Sequence, residues 1–125
     1  MNPTEIFTLF VRAINQQNVE ALVALMTPDH LFVDSRENRA HGVKSMEAGW
    51  RGYFAMCPDY WIRADHVAVE ADVVLAAGEA GGTIDGVPWR TPAAWQAVIR
   101  DGRVAEWRVF ADNQPVCEIL AKRRQ

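Results

Sequence analysis

Asp34 closes the short apolar run Leu31-Phe32-Val33 and is the residue of this chain best suited to move a proton. A carboxylate at a strand end facing an apolar, aromatic cavity has its pKa raised by desolvation, which suits a general base working near neutrality. The competing reading is a loop acid paired with Arg36 or Arg39, whose pKa would instead be lowered. Arg108 stands between Trp107 and Val109-Phe110 in a stretch that reads as a strand. Turned inward, it needs an acid or an anionic ligand, because an isolated buried charge is too costly. Glu106 and Asp112 share its side of the strand by alternation, so an ion pair is the alternative.

Five tryptophans, Trp50, Trp61, Trp89, Trp95 and Trp107, are many for 125 residues. Packing accounts for most of them. Trp50 and Tyr53 on a helix and Trp95 on a strand are the expected pocket walls. Rings around one acid favour a flat or hydrophobic small molecule over sugars or nucleotides. His30, His41 and His66 are scattered without an i, i+4 pair, so no zinc site is expected. Cys57 and Cys117 lack metal-ligand or redox spacing and read as reduced thiols. The "GEAGG" at 78–82 lies inside a strand pattern, where it marks a bulge or bend and not a phosphate loop. No cofactor and no metal are expected.

The elements that must position these residues are legible from periodicity and turn chemistry. Asn2, Pro3 and Glu5 read as N-cap, first-turn proline and N3 acid of a helix carrying Ile6, Phe7, Phe10, Val11 and Ile14. Asn18 caps a second short helix carrying Leu22, Val23, Leu25 and Met26, which Thr27-Pro28 is expected to end. A short strand then runs to Asp34, and a loop leads to Gly42. A third helix from Val43 carries Met46, Trp50, Tyr53, Phe54 and Cys57 up to Pro58. Asp85-Gly86 and Asp101-Gly102 are strong hairpin signals. They divide the remainder into four antiparallel strands, about 60–70, 72–84, 88–100 and 103–111. Asn113 and Pro115 open a short terminal helix, and Lys122-Arg123-Arg124 complements its dipole.

This order predicts an α+β fold: a cone-shaped barrel in which a curved antiparallel sheet carries three helices on its concave face, plus the C-terminal helix. The length suits one domain, 1–125. Half the residues are apolar, 23% are charged and the formal net charge is -3, which gives no reason to expect nucleic acid. No apolar run approaches the roughly 20 residues of a membrane span. "MNPTEIF" lacks the features of a signal peptide, so a cytoplasmic protein is expected.

Three segments, "FVRAINQQNVEALVALMTPDHLFVD", the "HG" at His41-Gly42 and "DGRVAEWRVFAD", make the chain resemble the nuclear transport factor 2-like superfamily. Ketosteroid isomerase, the SnoaL-like polyketide cyclases, scytalone dehydratase and limonene epoxide hydrolase share that NTF2-like, cystatin-like fold. The resemblance puts Asp34 at the isomerase's general base. The isomerase's oxyanion tyrosine falls on Phe10 and its oxyanion aspartate near Ala94 or Trp95, none of which has an acidic proton to give. The cyclases' acid–base pair maps near Ala94 and onto Arg108. The hydrolase's Arg-x-Asp segment falls in "LAAGEAGG" and its other aspartate on Val109. Of the dehydratase's paired histidines only His66 is a loose match.

The resemblance implies a SnoaL-like small-molecule-binding protein with Asp34 as catalytic residue and Phe10, Trp50, Tyr53, Trp95 and Arg108 as ligand contacts. One reading is a cofactor-free isomerase, dehydratase or cyclase acting on a hydrophobic carbonyl-type substrate. The other is a non-catalytic module that binds a hydrophobic ligand or dimerises. Members of this fold often pair through the outer face of the sheet, which implies a homodimer.

Overall fold

The computed structural model describes residues 1–123, so Arg124 of the basic trio lies outside the described residues. Helices α1 (Pro3–Asn15) and α2 (Val19–Ala24) precede strands β1 (Met26–Val33) and β2 (Arg39–His41). Helix α3 (Val43–Met56) leads into β3 (Trp61–Glu70), β4 (Val73–Ile84), β5 (Val87–Arg100) and β6 (Arg103–Ala111), and α4 (Gln114–Lys122) comes last. The strands form one open sheet in the order β2-β1-β6-β5-β4-β3.

Local chemistry sets most of the boundaries. Asn2 caps α1 by accepting a hydrogen bond from the Glu5 amide at 2.9 Å, and Asn18 caps α2 through the Ala21 amide at 3.1 Å. Both Asp-Gly pairs turn with positive φ at both residues, 53° and 76° at Asp85-Gly86 and 54° and 73° at Asp101-Gly102. That geometry matches the twist of the flanking strands. The β3–β4, β4–β5 and β5–β6 pairs are antiparallel as expected.

Three details differ from the sequence reading. Helix α2 stops at Ala24, because the backbone from Leu25 onward is taken by β6: the Val104 amide donates to the Leu25 carbonyl at 2.7 Å. Residues 39–41 form a strand against Leu31–Val33 where a loop was expected. A three-residue edge strand with Arg and His pointing out carries no hydrophobic period to betray it. The β1–β6 pair is parallel, so the curved, open sheet of this α+β fold is mixed and not wholly antiparallel.

Alternation gives the sheet two different faces. On β5 the odd residues from Trp89 to Ile99 are buried under the helices, as is Trp107 opposite Ala97 on β6. Phe7 of α1 stacks on Trp107 at a centroid distance of 5.6 Å, and Phe10 packs against it, tilted, at 4.7 Å. Each such ring contributes about 1.5–3 kcal/mol by leaving water. The even residues of β5 face outward with Leu75 and Phe110, both 47% exposed. At the β3 edge the pairing with β4 slips between Ala64 and His66, leaving Asp65 as an unpaired bulge residue. No helix among the described residues is long and apolar enough to cross a membrane.

Candidate functional site

Asp34 follows the last residue of β1 and shares the strand parity of Phe32, whose ring lies against Trp50. Its carboxylate is occupied by its own loop. Oδ1 accepts from the Arg36 and Asn38 amides at 2.8 and 2.9 Å, and Oδ2 accepts from the Asn38 side chain at 3.0 Å. The Asp34 amide donates to the Asn38 carbonyl at 3.0 Å, closing the turn into β2. The carboxylate thus carries out the work of an Asx turn. No ion pair joins it to Arg36 or Arg39 within 4.0 Å among the described residues.

A packed cluster of aromatic rings, the candidate chamber, joins α3, the turn at Tyr60 and the first half of β5. Trp50 and Tyr53 are three residues apart on α3 and so share one helical face. Trp50 packs on Phe54 at 5.3 Å and meets Phe32 edge-on at 6.3 Å. Tyr53 meets Tyr60 edge-on at 4.8 Å, and Tyr60 stacks on Trp89 at 6.1 Å. The turn carrying Tyr60 is pinned from both sides. Gln17 donates to its carbonyl at 2.6 Å, while Asp59 accepts from the Thr83 amide and hydroxyl at 2.7 and 2.8 Å. Those Thr83 donors hold the Asp59 carboxyl below its usual range.

The chamber's polar atoms are poorly served. The buried indole N–H of Trp50 has no hydrogen-bond partner, and that of Trp89 meets no nitrogen or oxygen acceptor. The Trp89 N–H faces the sulfur of buried Cys57, a weak acceptor that draws on it. Burial pushes both tyrosine hydroxyls well above their ordinary pKa, so they remain protonated. The Cys57 thiol is pushed up as well, chiefly by burial, which leaves it unreactive.

Helix α4 packs against β5. Thr91 Oγ1 donates to the Asp112 carbonyl at 3.0 Å just before the helix, and Arg123 just after it pairs with Asp85 in the β4–β5 turn. Trp89 lies between these two anchor points. Val116, Ile119 and Leu120 of α4 pack into the core. The helix is also joined to the Asp34 loop, since Asn113 donates to Ser35 Oγ at 2.6 Å.

The remaining expected contacts divide between the two faces. Phe10 is fully buried against Trp107, and Trp95 is buried on the helix side opposite Ala76 and Val109. Arg108 stands opposite Gln96 on the outer face. There it lies 3.7 Å from Glu106 and 3.8 Å from Glu37, while Gln96 donates to Glu106 at 3.0 Å. Arg108 is therefore on the far side of the sheet from the chamber.

Sequence reasoning passed over His30. It is fully buried, and its Nδ1 lies 2.7 Å from the Val104 carbonyl, which makes that nitrogen the donor. Its Nε2 is left as an unpartnered acceptor near Phe10, and burial lowers its pKa. Trp89 and Tyr60 were missed as chamber walls too. The alternation of β5 was available as a signal for Trp89, but nothing in the sequence marks which rings meet.

The SnoaL-like domain family matches residues 7–107 of the chain. The chain belongs to the SnoaL-like family. Solved structures agree on the fold. A candidate SnoaL-like polyketide cyclase from Shewanella denitrificans OS-217 has TM-score 0.85 at 14% identity, with 96% of this chain and 97% of that one covered. A candidate SnoaL-like polyketide cyclase from Jannaschia sp. CCS1 has TM-score 0.80 at 21% identity, covering 92% and 88%. A hypothetical protein of ketosteroid isomerase-like fold from Catenulispora acidiphila DSM 44928, in complex with trimethylamine, has TM-score 0.79 at 22% identity, covering 88% and 86%. No functionally curated protein matches this SnoaL-like chain.

Proposed function

We propose that this SnoaL-like protein binds a hydrophobic small molecule in the ring-lined chamber of Trp50, Tyr53, Tyr60 and Trp89, with Phe10 and Trp95 in the packed floor beyond. The observation that carries this reading is the pair of buried indole donors among aromatic rings, Trp50 without an acceptor and Trp89 with only a thiol sulfur to face. Binding pockets have this make-up: mostly apolar surface with a few polar groups that orient the guest. The Catenulispora neighbour in complex with trimethylamine supports small-molecule binding on this fold. A thermal-shift series with neutral aromatic ketones tests the reading. Ligands that raise the melting temperature of the wild type and lose most of that effect in Trp50→Phe support it; no stabilisation by any such compound sinks it.

A second reading, proton abstraction by Asp34 from a carbonyl-type substrate, is favoured by the position of that acid at the strand end on the Phe32 side. Asp34→Asn separates the two roles. Asparagine retains an oxygen for the Arg36 and Asn38 amides, so the fold stays intact while a base is lost. Turnover that survives this change removes Asp34 as the base.

The protein forms a homodimer through the outer sheet face. Leu75 and Phe110 flank a shallow hollow of about 360 Å3 there, floored by Ala68, Ala77 and Ala94. Arg63, Glu79 and Arg90 make a mixed-charge rim, with Arg63 2.7 Å and Arg90 3.1 Å from Glu79. An apolar centre with a polar rim suits self-association. Light scattering that gives a monomer at micromolar concentration overturns the dimer.

A further inference from the structure

We infer that Asp101-Gly102 in the β5–β6 turn is a spontaneous modification site: the Gly102 amide nitrogen attacks the Asp101 side-chain carboxyl, and the turn passes through a succinimide to isoaspartate. The same dipeptide at Asp85-Gly86 is spared, because Arg123 holds its carboxylate. The inference is independent of the proposed ligand binding and needs no co-reactant but water.

The two turns form a matched pair. Each joins neighbouring strands through two residues, closed by Ile84 opposite Val87 and by Arg100 opposite Arg103. Both aspartates take positive φ, 53° at Asp85 and 54° at Asp101, and the glycines follow at 76° and 73°. All four residues are exposed. A glycine amide is the least hindered backbone nucleophile, since no Cβ flanks it. The space where a Cβ would stand is open at both Gly86 and Gly102. Backbone shape therefore does not separate the two turns.

Their carboxylates differ. Arg123 forks onto both oxygens of Asp85, with Nη2 2.7 Å from Oδ1 and Nε on Oδ2. Those donors hold the Asp85 carboxyl below its usual range. Ring closure needs the opposite, a protonated carboxyl free to swing onto the next amide. Asp101 enters no hydrogen bond or ion pair among the described residues, and its neighbour Arg100 is paired with Asp29. Exposed hairpin ends open locally, which gives the carboxyl its approach. In the step, the amide nitrogen bonds to the side-chain carboxyl carbon, and the hydroxyl leaves with the amide proton as water. A second water opens the imide at the main-chain carbonyl, so the chain then runs through the Asp101 side chain. One water leaves and one enters, and nothing is oxidised or reduced.

The product matters because the turn is only two residues long. Isoaspartate adds a methylene to the backbone, which the tight mirror-image turn does not accommodate. Val104, two residues past Gly102, joins this hairpin to β1. Its amide donates to the Leu25 carbonyl and its carbonyl accepts from His30 Nδ1, each at 2.7 Å.

The test ages the purified chain at mildly acidic pH, then digests it with chymotrypsin into peptides 76–89 and 96–107, one for each turn. An isoaspartyl carboxyl methyltransferase with labelled S-adenosylmethionine marks isoaspartate and leaves aspartate alone. In the folded wild type, label should enter 96–107 about two- to fivefold faster than 76–89, the margin of an exposed ion pair. Arg123→Gln, or ageing in urea, should bring the two rates within about twofold. Asp101→Glu, which would have to close a larger ring, should leave 96–107 unlabelled. Label in 96–107 from the urea-aged chain but none from the folded chain overturns the site. Equal labelling of both turns in the folded wild type, or a difference that survives Arg123→Gln, overturns the protection by Arg123. The modified form, separated by ion exchange, should unfold at lower urea than its unmodified counterpart; equal midpoints overturn the effect on the joint with β1.

Discussion

The loop after β1 and the ring cluster between α3 and β5 treat their polar atoms in opposite ways. In the loop, a partly exposed carboxylate collects three donors although water could have served it. Among the packed rings, two indole N–H groups are sealed from water, one with no acceptor and the other with only the Cys57 sulfur. The first arrangement is what a turn needs to be stable by itself. The second costs about 1–3 kcal/mol for a group left wholly unpaired. The contrast teaches that chemical promise in a sequence and unmet chemical need in a structure fall in different places here.

The strongest way to break the comparison is at Trp89. Trp89→Ala should cost about 3–5 kcal/mol in urea unfolding, because a large buried ring leaves a cavity. Trp89→Phe should cost less than about 1.5 kcal/mol, since it retains most of the volume and removes an orphaned donor. A phenylalanine variant as damaged as the alanine one means that the N–H has a partner after all. Asp34→Ala comes next, at about 1–2 kcal/mol, because two loop amides lose their acceptor. Asp34→Asn should restore more than half of that loss in the same assay. If asparagine and alanine are equally destabilising, the loop depends on charge and not on an accepting oxygen.

The third test carries the contrast to His30, another buried group with an unmet atom. Its folded pKa is depressed, so the unfolded chain binds the proton more readily. Stability is then complete above the unfolded histidine value of about 6.5 and declines as pH falls below it toward the folded pKa. Urea titrations from pH 8 to pH 5 should show that decline, and His30→Leu should flatten it. An unchanged slope in the variant places the acid sensitivity elsewhere.

The four long strands were legible because two Asp-Gly turns and strict alternation both act locally. Residues 60–70, 72–84, 88–100 and 103–111 match β3 to β6 to within a residue. The end of α2 was not legible, since it is set by Val104, nearly eighty residues away, claiming the Leu25 carbonyl. Strand β2 was hidden because a polar edge strand has no buried period. Trp50 and Tyr53 could be chosen from helical spacing. Their meeting with Tyr60 and Trp89 could not, because it depends on how Gln17 and Asp59 hold a turn. Asp34 was found in the sequence by its position at a strand end, whereas its hydrogen bonds to Arg36 and Asn38 depend on the turn after it.

The bulge at Asp65 reaches beyond the shape of the sheet. Strand β3 is the ten-residue margin of the sheet, and beyond Ile62, whose N–H and carbonyl the Asn15 side chain takes, it is the kind of surface on which a foreign strand can dock and fibres can grow. The kink interrupts that template at its middle, and the Arg63–Asp65 pair sets charge beside it. Gly78 on β4 is matched to it, because a methyl group there would collide with the Arg63 carbonyl. Drift at either position therefore puts solubility at risk before it touches any ligand.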